Sequence, residues 1–282
     1  MTAPAATSRV GSLAYRVAGE GPPLLLLHGF TGAATTWAPH VAAWAPFFRC
    51  IAVDLPGHGE SATPSDPACY TMAATVAALA GVLDRLGVAR AHVLGYSLGG
   101  RIALGFALAR PERVGALVLE SAAPGLVDPV ERAARVAADE VLADAIERDG
   151  ISAFVERWEQ MPLWQTQARL PAATRAALRE QRLGNNAAGL ANSLRGIGAG
   201  AQSAYWAALP ALAAPTLLIA GRDDAKFSAL AGAMAAAIPR NELLIVHGAG
   251  HAAHLEQPAV FDRLVRDFLL AHNDPPPATG LE

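Results

Sequence analysis

Ser97 stands in Gly95-Tyr96-Ser97-Leu98-Gly99-Gly100, with the apolar run Ala91 to Leu94 before it and Arg101-Ile102-Ala103-Leu104 after it. A strand that feeds a helix through so short a corner must reverse within a few residues, and Gly95 and Gly99 leave room for that reversal. The corner forces strained backbone on the serine and exposes its hydroxyl near a helix N-terminus, the arrangement called a nucleophile elbow. Gly-x-Ser-x-Gly alone is common by chance. It constrains the chain only if a base, an orienting acid and an oxyanion site are found elsewhere.

The rest of the chain supplies the sheet that such a corner needs. Short apolar runs recur at Pro23 to Leu27, Cys50 to Val53, His92 to Leu94, Ala116 to Leu119, Thr216 to Ile219 and Leu243 to Val246, each suited to a buried parallel strand. Helix-length stretches lie between several of them, at Thr71 to Leu86, Leu98 to Ala109 and Ser228 to Ile238. This alternation predicts an α/β fold with a doubly wound, mostly parallel sheet. It stops after Ala123-Pro124-Gly125 and resumes near Leu209-Pro210.

The expected organisation is therefore a core of residues 1–123 and 207–272, an inserted helical lid at 124–206, and a disordered tail at 273–282. In the lid, Val130, Ala133, Ala134, Ala137 and Val141 recur at helical spacing and predict one apolar face, with Asp128-Pro129 as its start signal. Pro162, Pro171 and Gly196-Ile197-Gly198-Ala199-Gly200 divide the remainder, the last reading as a hinge or loop.

Composition narrows the partners. With 52% hydrophobic and 17% charged residues, the chain is a packed globular protein. A net charge of −3 offers no basic field for nucleic acid, which leaves small molecules. Lys226 is the only lysine, so arginine is common and an isolated arginine carries little information. Cys50 and Cys69 form no metal or disulfide pattern, residues 1–20 lack a signal-peptide pattern, and no apolar stretch is long enough for membrane insertion. The cytoplasm is the expected compartment.

The partners of Ser97 are sought at the ends of the late strands, the edge where open α/β sheets place ligands. After Thr216 to Ala220 comes Gly221-Arg222-Asp223-Asp224, and after Leu243 to Val246 comes Gly248-Ala249-Gly250-His251. A serine hydroxyl is weakly acidic, so His251 must accept its proton and an aspartate must orient and stabilise the imidazole. His251-Ala252-Ala253-His254 lacks the spacing of a zinc hydrolase helix, and no phosphate or dinucleotide loop is present. No metal and no cofactor is expected. Asp54-Leu55-Pro56-Gly57-His58-Gly59-Glu60-Ser61 reads as a structural turn.

With this order of motifs the chain resembles the α/β-hydrolase superfamily over nearly its whole length. The family spacing Gly-x-x-Asp selects Asp224 over Asp223, and the His28-Gly29-Phe30 loop implies an oxyanion hole made by the backbone of Phe30 and Leu98. A narrower resemblance rests on Gly95 to Arg101, on Pro124-Gly125-Leu126 with Glu131-Arg132-Ala133-Ala134-Arg135, and on Phe154-Val155-Glu156-Arg157-Trp158-Glu159-Gln160-Met161-Pro162. Asn185-Asn186 with Gly189-Leu190, Gly200-Ala201-Gln202, Asp224-Ala225-Lys226-Phe227 and Gly250-His251-Ala252-Ala253-His254 follow in order.

These segments are similar to the 2-succinyl-6-hydroxy-2,4-cyclohexadiene-1-carboxylate synthases of menaquinone biosynthesis. The resemblance implies a lyase that eliminates pyruvate, with Ser97 removing a carbon-bound proton, and a polycarboxylate substrate held by Tyr96, Arg101, Arg135 and Trp158. The competing reading is a serine esterase or C–C bond hydrolase working through an acyl-enzyme. Glu120-Ser121-Ala122-Ala123 has no assigned role, and Trp164, Arg182 and Arg195 stand undecided between pocket and packing.

Overall fold

A computed structural model describes residues 6–273. From Asp274 onward the expected tail lies outside the described residues. The strands are β1 (Thr7–Val10), β2 (Leu13–Ala18), β3 (Pro23–Leu27), β4 (Arg49–Val53), β5 (Ala91–Tyr96), β6 (Val114–Glu120), β7 (Thr216–Gly221) and β8 (Asn241–Val246). They form one sheet in the order β1-β2-β4-β3-β5-β6-β7-β8. β1 and β2 pair antiparallel with each other, β2 pairs antiparallel with β4, and the remaining neighbours run parallel. All six expected strands are present.

The helices are α1 (Ala38–Trp44), α2 (Met72–Arg85), α3 (Leu98–Ala109), α4 (Pro129–Glu159), α5 (Ala172–Leu183), α6 (Ala187–Ile197), α7 (Ala225–Ala237), α8 (Ala253–Glu256) and α9 (Pro258–Ala271). Side chains of a strand alternate between faces. Leu25 and Leu27 of β3 accordingly join Ile102 and Phe106 of α3 on one side of the sheet. Leu24 and Leu26 join Trp37, Trp44 and Phe261 on the other. Burial on both faces explains the continuous apolar runs, and each fully buried leucine adds about 1.5–3 kcal/mol.

The insertion between β6 and β7 carries α4, a 3-10 segment (Pro162–Arg169), α5 and α6. Asp128 caps α4 as expected, its Oδ1 accepting from the amides of Val130 and Glu131. The expected apolar face is not the buried one: Val130, Ala133, Ala134, Ala137 and Val141 are all exposed. The buried stripe is Asp139, Ala143 and Ile146, of which Ala143 and Ile146 pack with Phe154, Leu190 and Leu194 in a small separate core. Alanine is so frequent here that its periodicity does not distinguish the two faces. Gly150, with φ 78°, breaks α4 between these parts.

In the glycine run, Gly196 and Ile197 end α6, and residues 198–200 form the expected loop, closely packed. A Cβ on Gly198 would fall 2.2 Å from the Leu194 oxygen, and one on Gly200 would fall 2.6 Å from the Val136 nitrogen. These glycines let α4 and the end of α6 approach closely. Among the described residues, no helix is long and apolar enough to cross a membrane.

Candidate active site

β5 delivers Ser97 to the carboxyl edge of the sheet, and α3 begins at the next residue. Ser97 has φ 50° and ψ −106°, a costly conformation for a residue with a Cβ. The corner holds because its neighbours are small: a Cβ on Gly95 would fall 2.2 Å from the Gly99 oxygen, and one on Gly99 would fall 2.2 Å from the Leu27 oxygen. The Ser97 amide donates to the Glu120 carbonyl at 2.8 Å, which ties the elbow to β6.

His251 arrives from the loop after β8, and its Nε2 lies 3.0 Å from Ser97 Oγ. Its Nδ1 lies 2.7 Å from Asp224 Oδ2. Asp224 also caps α7, its Oδ1 accepting from the Phe227 amide at 3.1 Å, so the carboxylate is oriented by two bonds. Asp223 instead forms a surface ion pair with Arg169 at 2.6 Å. The imidazole of His251 is buried beside Phe227, Trp164 and Tyr96, with ring centroids 4.5, 5.5 and 5.6 Å away.

Leu98 occupies the first turn of α3, where backbone N–H groups have no acceptor within the helix. Phe30 lies on the loop after β3, which buried histidines brace. Leu55 N donates to His28 Nε2 at 3.0 Å, and His28 Nδ1 donates to the Gly29 oxygen at 2.7 Å, so this ring is neutral. Burial lowers His28 to about 4. Burial first, and then His28 itself, lowers His58 to about 3. The ring of Phe30 stands 5.6 Å from that of His58 and 5.5 Å from that of Trp158.

The other expected site residues are distributed as follows. Tyr96 is buried, its hydroxyl pushed well above its usual range by burial and then by the Glu120 charge. It lines a pocket with Phe30, Trp164, Gln167, Arg182 and His254. Arg101, one turn beyond Ser97, donates from Nη1 to the Ile197 oxygen and to Gln202 Oε1, both at 2.9 Å. Burial, followed by repulsion from Arg135, lowers Arg101 to about 10. Arg135 is bonded through Nε to Asp139 at 2.8 Å. Trp158 joins the insertion core through Phe154 and reaches Trp164, and both indole N–H groups are buried without a hydrogen-bond partner among the described residues.

One feature escaped the sequence reading. Glu120 and His254 are both fully buried, and the Glu120 carboxylate accepts from His254 Nδ1 at 2.9 Å and from the His254 amide at 3.0 Å. Glu120 thus holds Ser97 by its carbonyl and the segment just after His251 by its carboxylate. The signal was present in the second histidine of His251-Ala252-Ala253-His254 and in a lone acid ending an apolar strand. Arg182, undecided between pocket and packing from the sequence, is buried, donates to Glu159 and Gln167, and stacks over Trp164 at 5.8 Å.

A serine on a strand-to-helix corner, bonded through histidine to aspartate at the carboxyl edge of a mostly parallel sheet, defines a class of serine-centred enzymes. The family described as alpha/beta hydrolase fold matches residues 22–258. A Bacillus subtilis (strain 168) protein, provisionally named 2-succinyl-6-hydroxy-2,4-cyclohexadiene-1-carboxylate synthase, is 43% identical over 90% of this chain and 94% of its own length. A Serratia proteamaculans (strain 568) protein of that name is 34% identical over 92% of this chain and 98% of its own. The solved structure of MenH from S. aureus matches with TM-score 0.89 and 31% identity, covering 94% of this chain and all of the other. The chain belongs to the α/β-hydrolase fold family and, within it, to the 2-succinyl-6-hydroxy-2,4-cyclohexadiene-1-carboxylate synthases.

Proposed function

We infer that this chain is a carbon–oxygen lyase of menaquinone biosynthesis. It eliminates pyruvate from 2-succinyl-5-enolpyruvyl-6-hydroxy-3-cyclohexene-1-carboxylate to give 2-succinyl-6-hydroxy-2,4-cyclohexadiene-1-carboxylate. The observation that carries this reading is the near full-length similarity to relatives bearing that name, at 43% and 34% identity. The complete Ser97–His251–Asp224 relay supports it.

The ring numbering of substrate and product fixes the chemistry. A proton leaves C2, beside the succinyl ketone, the C2=C3 bond forms, the C3=C4 pair moves to C4=C5, and the C5–O bond to pyruvate breaks. His251 draws the Ser97 proton through the 3.0 Å contact, leaving the oxygen basic enough to take the C2 proton. Asp224, 2.7 Å behind, stabilises the imidazolium. Negative charge gathers on the ketone oxygen, where the Phe30 and Leu98 amides receive it, and the proton held on His251 goes to the departing enolpyruvate. Such backbone donors contribute about 10²–10³ in rate.

The substrate carries three carboxylates, and planar guanidinium groups are suited to bind them. Arg101 and Arg135 supply two. Arg182 lines the same pocket as Tyr96 and supplies a third. Residues 124–206 act as the cover over this site, on a core of 1–123 and 207–272. The reaction belongs in the cytoplasm, in keeping with free Cys50 and Cys69.

The deciding experiment is pyruvate release from the enolpyruvyl substrate. Turnover that is abolished in Ser97→Ala supports the lyase. No release above background at high enzyme concentration rejects it, and rapid ester cleavage with an acyl adduct trapped on Ser97 establishes the hydrolase instead.

A further inference from the structure

A second cleft, of about 560 Å³, opens within the insertion between the end of α4, the 3-10 segment and α5. Its lining includes Arg175, Arg179 and Arg182 against a single acid, Glu159. The arginines are spaced by four and three residues, which puts them on one face of α5 over about 10 Å of helix. Arg175 is exposed at the outer end, the Arg179 side chain is 39% exposed, and that of Arg182 only 10%. Trp164, Gln167, Leu178 and Arg182 line both this cleft and the pocket that contains Tyr96. The row of guanidinium groups thus runs from solvent to the wall of the inner pocket.

We propose that this cleft is an outer anion-binding site that takes a carboxylate of the incoming substrate on Arg175 and Arg179 before the substrate enters the inner pocket past Arg182. The proposal rests on the polycarboxylate substrate inferred above. Glu159 is the clue to its working: its carboxylate bonds both Arg179 and Arg182, the latter at 3.1 Å. It holds the position that a substrate carboxylate would take, and exchange for the incoming group leaves no guanidinium unpaired on the way in. Arg175 has no ion-pair partner among the described residues and is free to make first contact. A substrate with several carboxylates can keep one on the outer arginines while another reaches Arg182. Charges so placed act on encounter and on its salt dependence.

The test is steady-state pyruvate release by wild type, Arg175→Gln and Glu159→Gln between about 0.02 and 0.3 M salt, with calorimetric titration of citrate as a tricarboxylate probe. Arg175→Gln should lower kcat/KM about threefold or more at low salt, leave kcat in place, and converge with wild type at high salt. Glu159→Gln keeps a hydrogen-bond acceptor but removes the competing charge, so KM should fall and citrate should bind more tightly. A merely structural Glu159 would give the opposite sign. Unchanged kcat/KM and salt dependence in Arg175→Gln, or a raised KM in Glu159→Gln, overturns the outer site. If wild type releases no pyruvate while citrate binding still depends on Arg175, the lyase reading fails and the anion site stands.

Discussion

The edge of the sheet and the insertion above it solve different physical problems. At the edge, Ser97, His251, Asp224 and Glu120 sit on four separate strand ends and are joined by bonds of 2.7–3.0 Å before any substrate arrives. In the insertion, arginines are bonded to acids of the insertion itself: Arg182 and Arg179 to Glu159, and Arg195 to Glu140, Asp144 and Glu147. The first arrangement fixes reacting atoms, which lowers a barrier only when nothing must reorganise. The second is a set of exchangeable ion pairs, suited to accepting a charged ligand. On the proposed function, chemistry lies with the bonded strand ends, and recognition is shared between Tyr96 and Arg101 of the core and the arginines of the insertion.

The strongest way to break that division is to remove the reacting groups. Ser97→Ala and His251→Ala should each lower turnover by about 10⁴-fold or more, with the fold intact by melting temperature. Single-turnover pyruvate release measures it, and activity near wild type in either variant would end the proposed mechanism. Next comes the choice of acid. Asp224→Asn should cost about 10²- to 10⁴-fold in kcat because the imidazole loses its orienting charge. Asp223→Asn, which removes only an exposed pair with Arg169, should leave kcat within about twofold. Reversal of the two results would move the triad to Asp223.

A third comparison concerns stability. Glu120→Ala leaves His254 buried without its partner and should cost about 3–5 kcal/mol in chemical denaturation. Removing Arg195 from its exposed network should cost about 1 kcal/mol or less. Equal costs would show that the edge and the insertion are held alike.

How much of this was legible beforehand follows the same division. The parallel strands announced themselves because burial on both faces demands unbroken apolar runs such as Leu24–Leu27. β1 and β2 did not, since β1, at the sheet edge, is short and buries no residue fully, with Ser8 and Arg9 exposed. The contact of Ser97, His251 and Asp224 was legible because each of them follows a strand. The bond between Glu120 and His254 was not: it spans 134 residues and needs α8, which follows β8, to reach back across β7 to the end of β6. The buried face of α4 was misread because alanine marks every spacing equally. The arginine row of α5 gains meaning only from the cleft beneath it.

Acid separates the two regions again. The neutral rings of His28, on the loop that carries Phe30, and of His58, on the loop after β4 that packs against Phe30, are lowered to about 4 and about 3. As pH falls below the unfolded value near 6.5, the unfolded chain takes up protons that the folded chain refuses, so stability is lost through the window down to about 4 and 3. Going from pH 7 to pH 5 should cost about 2 kcal/mol for each ring. Denaturation at the two pH values in wild type and His58→Leu checks this, with about half of the two-ring loss expected in the variant. An undiminished loss would mean that these rings are not what acid attacks.

The smallest effect is expected on the outer face of α4. Val130 and Val141 are 75% and 70% exposed, so replacing both with serine removes little buried area. Surface changes of this kind stay within about 0.5 kcal/mol. Serine is also a slightly weaker helix former than most straight-chain residues but close to valine, so propensity does not shift the balance. Ile146→Ala on the buried stripe of the same helix should instead cost about 2–5 kcal/mol. The pair of measurements, made by urea denaturation, places the core of α4 on one side. If the double serine variant costs as much as Ile146→Ala, the valine face is packed in solution and the insertion is oriented differently on the sheet.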